Sequence, residues 1–176
     1  NIWSTSLLNK INLNTNYLNN IDTTWSNLIE DATWKVSGHS ISSVTSTEMY
    51  TREITNATKA YGPSNGTSKI GLMYASDYGF AASPSAWTTT LYNYSDNDAN
   101  GTSIQTINWM NMGHNEWTIS PYSSSSSNVL HLYRNGALSA NFAINGYGSR
   151  PVLYLKSSVL YAGGSGTKDS PITLAV

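Results

Sequence analysis

His114 and Glu116 stand two residues apart between Trp109 and Trp117, beside the turn-formers Gly113 and Asn115. An imidazole and a carboxylate at that spacing can share a proton or build a small polar site. Neither has a nucleophile with a neighbouring base nearby, and His39, His114 and His131 are too scattered for metal-ligand spacing. Cysteine is absent, which excludes thiolate catalysis, disulfides and Cys-based zinc sites. The chain therefore reads as a non-enzyme. Asp96-Asn97-Asp98-Ala99-Asn100-Gly101 matches the opening of a calcium loop, with Asp96, Asp98 and Asn100 as oxygen ligands on alternate positions. The bidentate Glu that completes such a loop is replaced by Ile107, so calcium would need a distant carboxylate such as Glu116. The plainer reading is a solvated Asx-rich turn.

Aromatic rings are the other potential chemistry. Trp87, Trp109 and Tyr122 lie in or beside polar loops and could stack on a ligand, with Tyr147 as a further member. Trp25 and Trp117 read instead as core. Arg150 follows Gly146-Tyr147-Gly148-Ser149 and precedes Pro151, which forces it into an extended conformation. Its fork of donors needs a partner, and Asp77 is the expected one, with Glu48 and Glu53 as rivals. That pair would lock the fold rather than act on a ligand.

These residues sit in a chain of 176 amino acids, enough for one domain with a full core. Only 11% are charged, against about 25% in an average soluble protein. Ser, Thr and Asn make up more than a third, and net charge is −1 with no basic run. A footprint of that kind opposes nucleic acid and anionic membrane surfaces. No apolar run approaches a membrane span of about 20 residues. The chain starts with Asn rather than Met, so it is expected to be a fragment or processed product. Membrane attachment would come only from an anchor upstream.

The elements that position these groups follow from patterning. Ser6 can cap a helix carrying Leu7, Leu8 and Ile11, and Thr23 or Thr24 a second one with Trp25, Leu28 and Ile29 on one face. Ala32 to Val36 alternates like a strand. Glu48 to Ala60 fits either a short helix or an irregular strand, and Tyr61 to Gly66 is a turn cluster. Lys69 to Ala75 is a buried strand that ends at Ser76-Asp77-Tyr78-Gly79. Ser83-Pro84 opens a helical turn. Asn135-Gly136 between Val129–Tyr133 and Ala137–Ala143 is a hairpin signal. Val152 to Leu155 reads as a strand buried on both faces, and a last strand lies near Ile172. Helices first and strands afterwards predict an α+β fold with a mostly antiparallel sheet. Asn-x-Ser/Thr sequons at Asn56, Asn65, Asn93 and Asn100 are expected by chance in so polar a chain.

The ordered pieces resemble a bacterial family of uncharacterised domains in exported and surface proteins, related to the C-type-lectin-like (formylglycine-generating-enzyme-like) fold. They are Ser6-Leu7-Leu8-Asn9 with Tyr17-Leu18-Asn19, Ile70 to Gly79 with its Ser-Asp-Tyr, Trp117 to Pro121, Gly136, and Gly148-Ser149-Arg150-Pro151 through Leu155. The resemblance implies short N-terminal helices, a small twisted sheet with long loops, and one domain over 1–176. It also implies an extracellular or cell-surface location. It carries over no reaction, because the formylglycine-generating enzymes use cysteine. The calcium-binding Glu-Pro-Asn and Trp-Asn-Asp triplets of true C-type lectins are missing, and Asn108-Trp109-Met110 keeps only a Trp beside an Asn. The expected role is an adhesion module that recognises glycan or protein through loops between residues 80 and 128. The alternative is the head of a pilin-like protein that forms homo-oligomers or filaments.

Overall fold

The structure, a computed structural model, describes residues 2–55 and 65–176. The Asn56 sequon, the end of the 48–60 stretch and most of the 61–66 turn cluster lie outside these residues. The chain is mixed α+β, with short helices and small, mainly antiparallel sheets.

Helices in the first third are short because Asn and Thr compete with the backbone for hydrogen bonds. Leu8–Tyr17 is wound wide, with the Leu18 N–H bonded back to the Leu13 carbonyl. Ser6 caps its start through Oγ, which accepts from Asn9 N at 3.1 Å. The Asn14 carboxamide then works like a strand residue. Its Nδ2 donates to the Ile70 carbonyl at 2.9 Å and its Oδ1 accepts from Ile70 N at 2.9 Å. Helix α1 (Thr23–Ser26) is capped by Asp22, whose Oδ1 accepts from Thr24 N, and not by either Thr. It stops before Leu28, so the expected apolar face never forms. Ile29 is buried while Trp25 is 51% exposed, which overturns its reading as a core residue.

Strand β1 (Ala32–Trp34) pairs with β2 (Gly66–Ser68). Between them α2 (Ser46–Tyr50) opens on a capping box of Thr45 and Glu48, and a further helical turn spans Thr51–Thr55. Strand β3 (Ile70–Leu72) is wholly buried, as its apolar run predicts. Helix α3 (Ala75–Phe80) follows at once, so Ser76-Asp77-Tyr78-Gly79 is helical. Helix α4 (Ile104–Ile107) interrupts the long polar stretch after Pro84–Ala86 and Leu91–Asn93, both single 3-10 turns.

The largest sheet contains β4 (Glu116–Pro121), β5 (Asn128–Leu132), β6 (Leu138–Phe142) and β7 (Gly148–Ser149), in the order β6-β5-β4-β7. Only the β4–β7 pair is parallel, with Glu116 opposite Gly148. The Asn135-Gly136 hairpin forms, with Gly136 at φ 87° and its N–H bonded to the Tyr133 carbonyl. Strand β8 (Pro151–Leu153) pairs with β3 alone. Its residues are half-buried, and Tyr154 and Leu155 beyond it are 54% and 39% exposed. The two-sided burial expected of Val152 to Leu155 fails, since β8 is only half-buried and the chain past it, bridged to Ile29 at Leu155, runs out to the surface. A last hairpin, β9 (Leu160–Gly163) and β10 (Thr173–Ala175), is exposed on nearly every residue.

Two apolar clusters fill the interior. Met49, Met73, Tyr78, Leu91, Tyr94 and Leu130 belong to one. Trp3, Trp34, Ile70, Leu72, Trp117 and Ile119 belong to the other, which bears out Trp117 as core. Val152 touches both. Among the described residues no helix is long and apolar enough to cross a membrane.

Candidate functional site

The open end of the molecule is built on two fully buried tyrosines. Tyr94 shares a hydrogen bond with Ser46 Oγ at 2.9 Å and donates to the Gly79 carbonyl at 3.0 Å. With Leu91 it roots the turn over 91–96 in the core and leaves Tyr92, Asn93 and Asp96 facing out. Tyr78 Oη donates to the Gly136 carbonyl at 2.7 Å and so anchors the β5–β6 turn. The two turns face each other across a hollow of about 490 Å³, a size suited to a small ligand. Tyr92, Asn93, Ser95 and Asp96 form one wall, and Tyr133, Asn135 and Ser139 line the other. Tyr92 is 54% exposed and Tyr133 36%. Arg134 lies over the Tyr133 ring, 5.6 Å from its centroid. The Asp96 carboxylate accepts from Ser95 Oγ and is otherwise open to a ligand hydroxyl.

Beside the hollow, loop 108–115 is fixed from below. Glu116 is buried and closes on a guanidinium and an imidazole. Its Oε1 meets His114 Nε2 at 2.8 Å and its Oε2 meets an Arg150 guanidinium nitrogen at 2.6 Å. The same nitrogen donates to the Met110 carbonyl at 3.0 Å. His114 and Glu116 thus form the polar pair expected of them, but its work is holding a loop. Arg150 has Glu116 as its partner, not Asp77, Glu48 or Glu53. Asp77 sits at the start of α3 and accepts from Tyr74 N at 2.9 Å. Glu48 caps α2 through Thr45 N and Oγ1.

Glu53 is entirely buried against the start of α3. It accepts from Ala75 N at 3.1 Å, from Ser76 N at 3.2 Å and from Ser120 Oγ. Burial pushes its carboxyl up to about 7, while those hydrogen bonds pull the other way.

The remaining aromatic candidates disperse. Trp87 is half-buried, donates Nε1–H to the Ala82 carbonyl and meets Phe80 edge-on at 5.2 Å. Tyr122 packs against the core beside His39. Tyr147 lies 4.7 Å from Trp117 and 4.8 Å from His131, centroid to centroid, in a ring cluster on the sheet. Trp109 alone stays open, at 77% exposure.

Asp98, Asn100 and Asp96 share a turn that is closed by its own backbone. Asp98 Oδ1 accepts from Asn100 N and Thr102 N, and Oδ2 from Ser85 Oγ. Those bonds, Ser85 first, hold its carboxyl below the usual range. Glu116, the distant carboxylate that a calcium site would need, is taken by Arg150 and His114. Among the described residues no group of three or more His, Asp or Glu is placed to hold a metal ion.

Sequence reasoning missed Tyr92, Tyr133, Asn135 and Ser139 as a group. Their one shared signal is that both tyrosines border turn residues, Asn93 on one side and Asn135-Gly136 on the other. Compared with protein-family models, curated proteins and solved structures, the chain finds no match.

Proposed function

We propose that this chain is a non-enzymatic binding module of C-type-lectin-like architecture, displayed outside a bacterial cell, and that it holds glycan in the hollow between Tyr92 and Tyr133. The observation that carries the reading is the pair of exposed tyrosines facing across Asp96, Asn93 and Asn135. Tyrosine rings offer an apolar face to pyranose C–H groups, and a carboxylate with amides suits sugar hydroxyls. The anchored turns suit preorganised binding, because little ordering is left to do when a ligand arrives. A mixed α+β order of short helices and small sheets, with a polar and weakly charged sequence, supports the architecture and the location. A glycan array on the wild-type chain and on Tyr92→Ala and Tyr133→Ala tests this. Binding that falls with either substitution supports it. Signals unchanged in both variants, or a wild type that captures only protein, would refute it.

The β9–β10 hairpin favours a second reading, a self-assembling surface subunit. Leu160, Tyr161, Ile172 and Leu174 are 40–67% exposed on a two-stranded ribbon, which is marginal by itself in water. Sedimentation of the wild type against Leu160→Ser/Leu174→Ser separates the two. A concentration-dependent oligomer lost in the variant favours assembly.

A further inference from the structure

Trp109 is the most exposed aromatic residue among those described, yet the backbone beside it is pinned on both sides. Asn108 Nδ2 donates to the Tyr78 carbonyl at 2.9 Å, and the Met110 carbonyl accepts from Arg150 at 3.0 Å. With the backbone on both sides held, only the two side-chain torsions of the indole remain to be ordered when a ligand arrives, which favours affinity. The loop is also tied to both walls of the tyrosine hollow. Asn111 Nδ2 donates to the Gln105 carbonyl at 3.3 Å, and Gln105 Nε2 donates to the Ser95 carbonyl at 3.1 Å on one wall. On the other, Asn115 Oδ1 accepts from Arg134 N at 2.9 Å.

Charge narrows the ligand. Beneath the loop, the Glu116 carboxylate is matched by the Arg150 guanidinium. The hollow carries the Asp96 carboxylate, and the Arg134 guanidinium at its edge lies on the Tyr133 ring. One carboxylate with one guanidinium leaves the hollow no net charge to favour an ionic sugar over a neutral one.

We propose that Trp109 is a second aromatic subsite outside the tyrosine hollow, on the loop tied to both its walls, and that the ligand is a neutral oligosaccharide long enough to reach from the hollow to the indole. This rests on the hollow being a glycan site. Titration calorimetry with neutral α- and β-glucan oligosaccharides, from disaccharide upward, separates the two claims, with oligogalacturonate as the anionic control. Wild-type affinity should climb with chain length by about tenfold, the factor that 1.4 kcal/mol of extra contact brings. Trp109→Ala should keep disaccharide binding and the wild-type thermal midpoint while losing that climb. Tyr92→Ala should lose binding at every length. An undiminished climb in Trp109→Ala overturns the second subsite, and oligogalacturonate bound as tightly as the neutral chains overturns the neutral ligand; either leaves the hollow standing. A wild type that binds no member of the series overturns both.

Discussion

Arg150, at the mouth of β8, reaches the buried Glu116 at the head of β4 and holds the Met110 carbonyl with the same nitrogen. One side chain thus joins two sheets to a loop. Removing it leaves a buried carboxylate with only the exposed His114 beside it. Arg150→Ala should therefore destabilise the fold by about 3 kcal/mol, the lower end for a broken buried pair because Arg150 keeps some solvent contact. Chemical denaturation measures this. Equal stability of Arg150→Ala and wild type would show the pair to be incidental. Asp77→Ala, which loses only a helix-start bond, should cost about 1 kcal/mol.

The buried Glu53 carboxyl makes stability fall as pH rises. Its folded value of about 7 lies above the model-peptide value of 4.5, so the folded chain holds the proton more tightly. The resulting stabilisation is full below about pH 4.5 and is lost as pH climbs through 7, in all roughly 3 kcal/mol. Unfolding curves collected from pH 4.5 to 8 should show that slope, and Glu53→Gln should flatten it. A wild-type profile already flat over this window would mean that Glu53 stays ionised.

Calcium should be irrelevant to the 96–101 turn. Both Asp98 oxygens are engaged by Ser85, Asn100 and Thr102. The thermal midpoint should be the same in excess calcium and in EDTA, whereas Asp98→Ala should lower it under both conditions. A midpoint raised by calcium in the wild type and not in the variant would reverse this view.

Gly71 packs against Trp34 so closely that a Cβ there would sit 2.6 Å from three indole atoms. Trp34 cannot retreat, since it is 1% exposed and has Tyr154 at 5.4 Å. Gly71→Ala should cost about 2 kcal/mol as overpacking. Trp fluorescence during urea unfolding reads this directly, and a neutral substitution would mean that the β1–β3 contact is loose.

Local signals carried much of this fold. The apolar run at Ile70 to Leu72, the Asn135-Gly136 turn, the Ser6 cap and Trp117 in the core were legible because each depends on neighbours in sequence. Val152 to Leu155 misled, since burial of a strand depends on what packs over its two faces, and Tyr154 and Leu155 come out at the surface. Trp25 misled for a similar reason, because α1 ends before its apolar partners can join it.

Sequence by itself determined that the chain has no thiol chemistry, a weakly charged polar surface and α+β order, because composition and periodicity are properties of the chain alone. It also marked Trp109, His114, Glu116 and Arg150 as residues that matter. Tertiary structure alone decided which of them meet. Arg150 had three acidic partners of similar promise, and only the parallel register of β7 on β4 brings it to a fourth, Glu116. Tyr92 and Tyr133 are remote in sequence and face each other because Tyr94 and Tyr78, buried beneath them, fix both turns to one core. No local pattern encodes such a meeting, since it is set by how the elements pack.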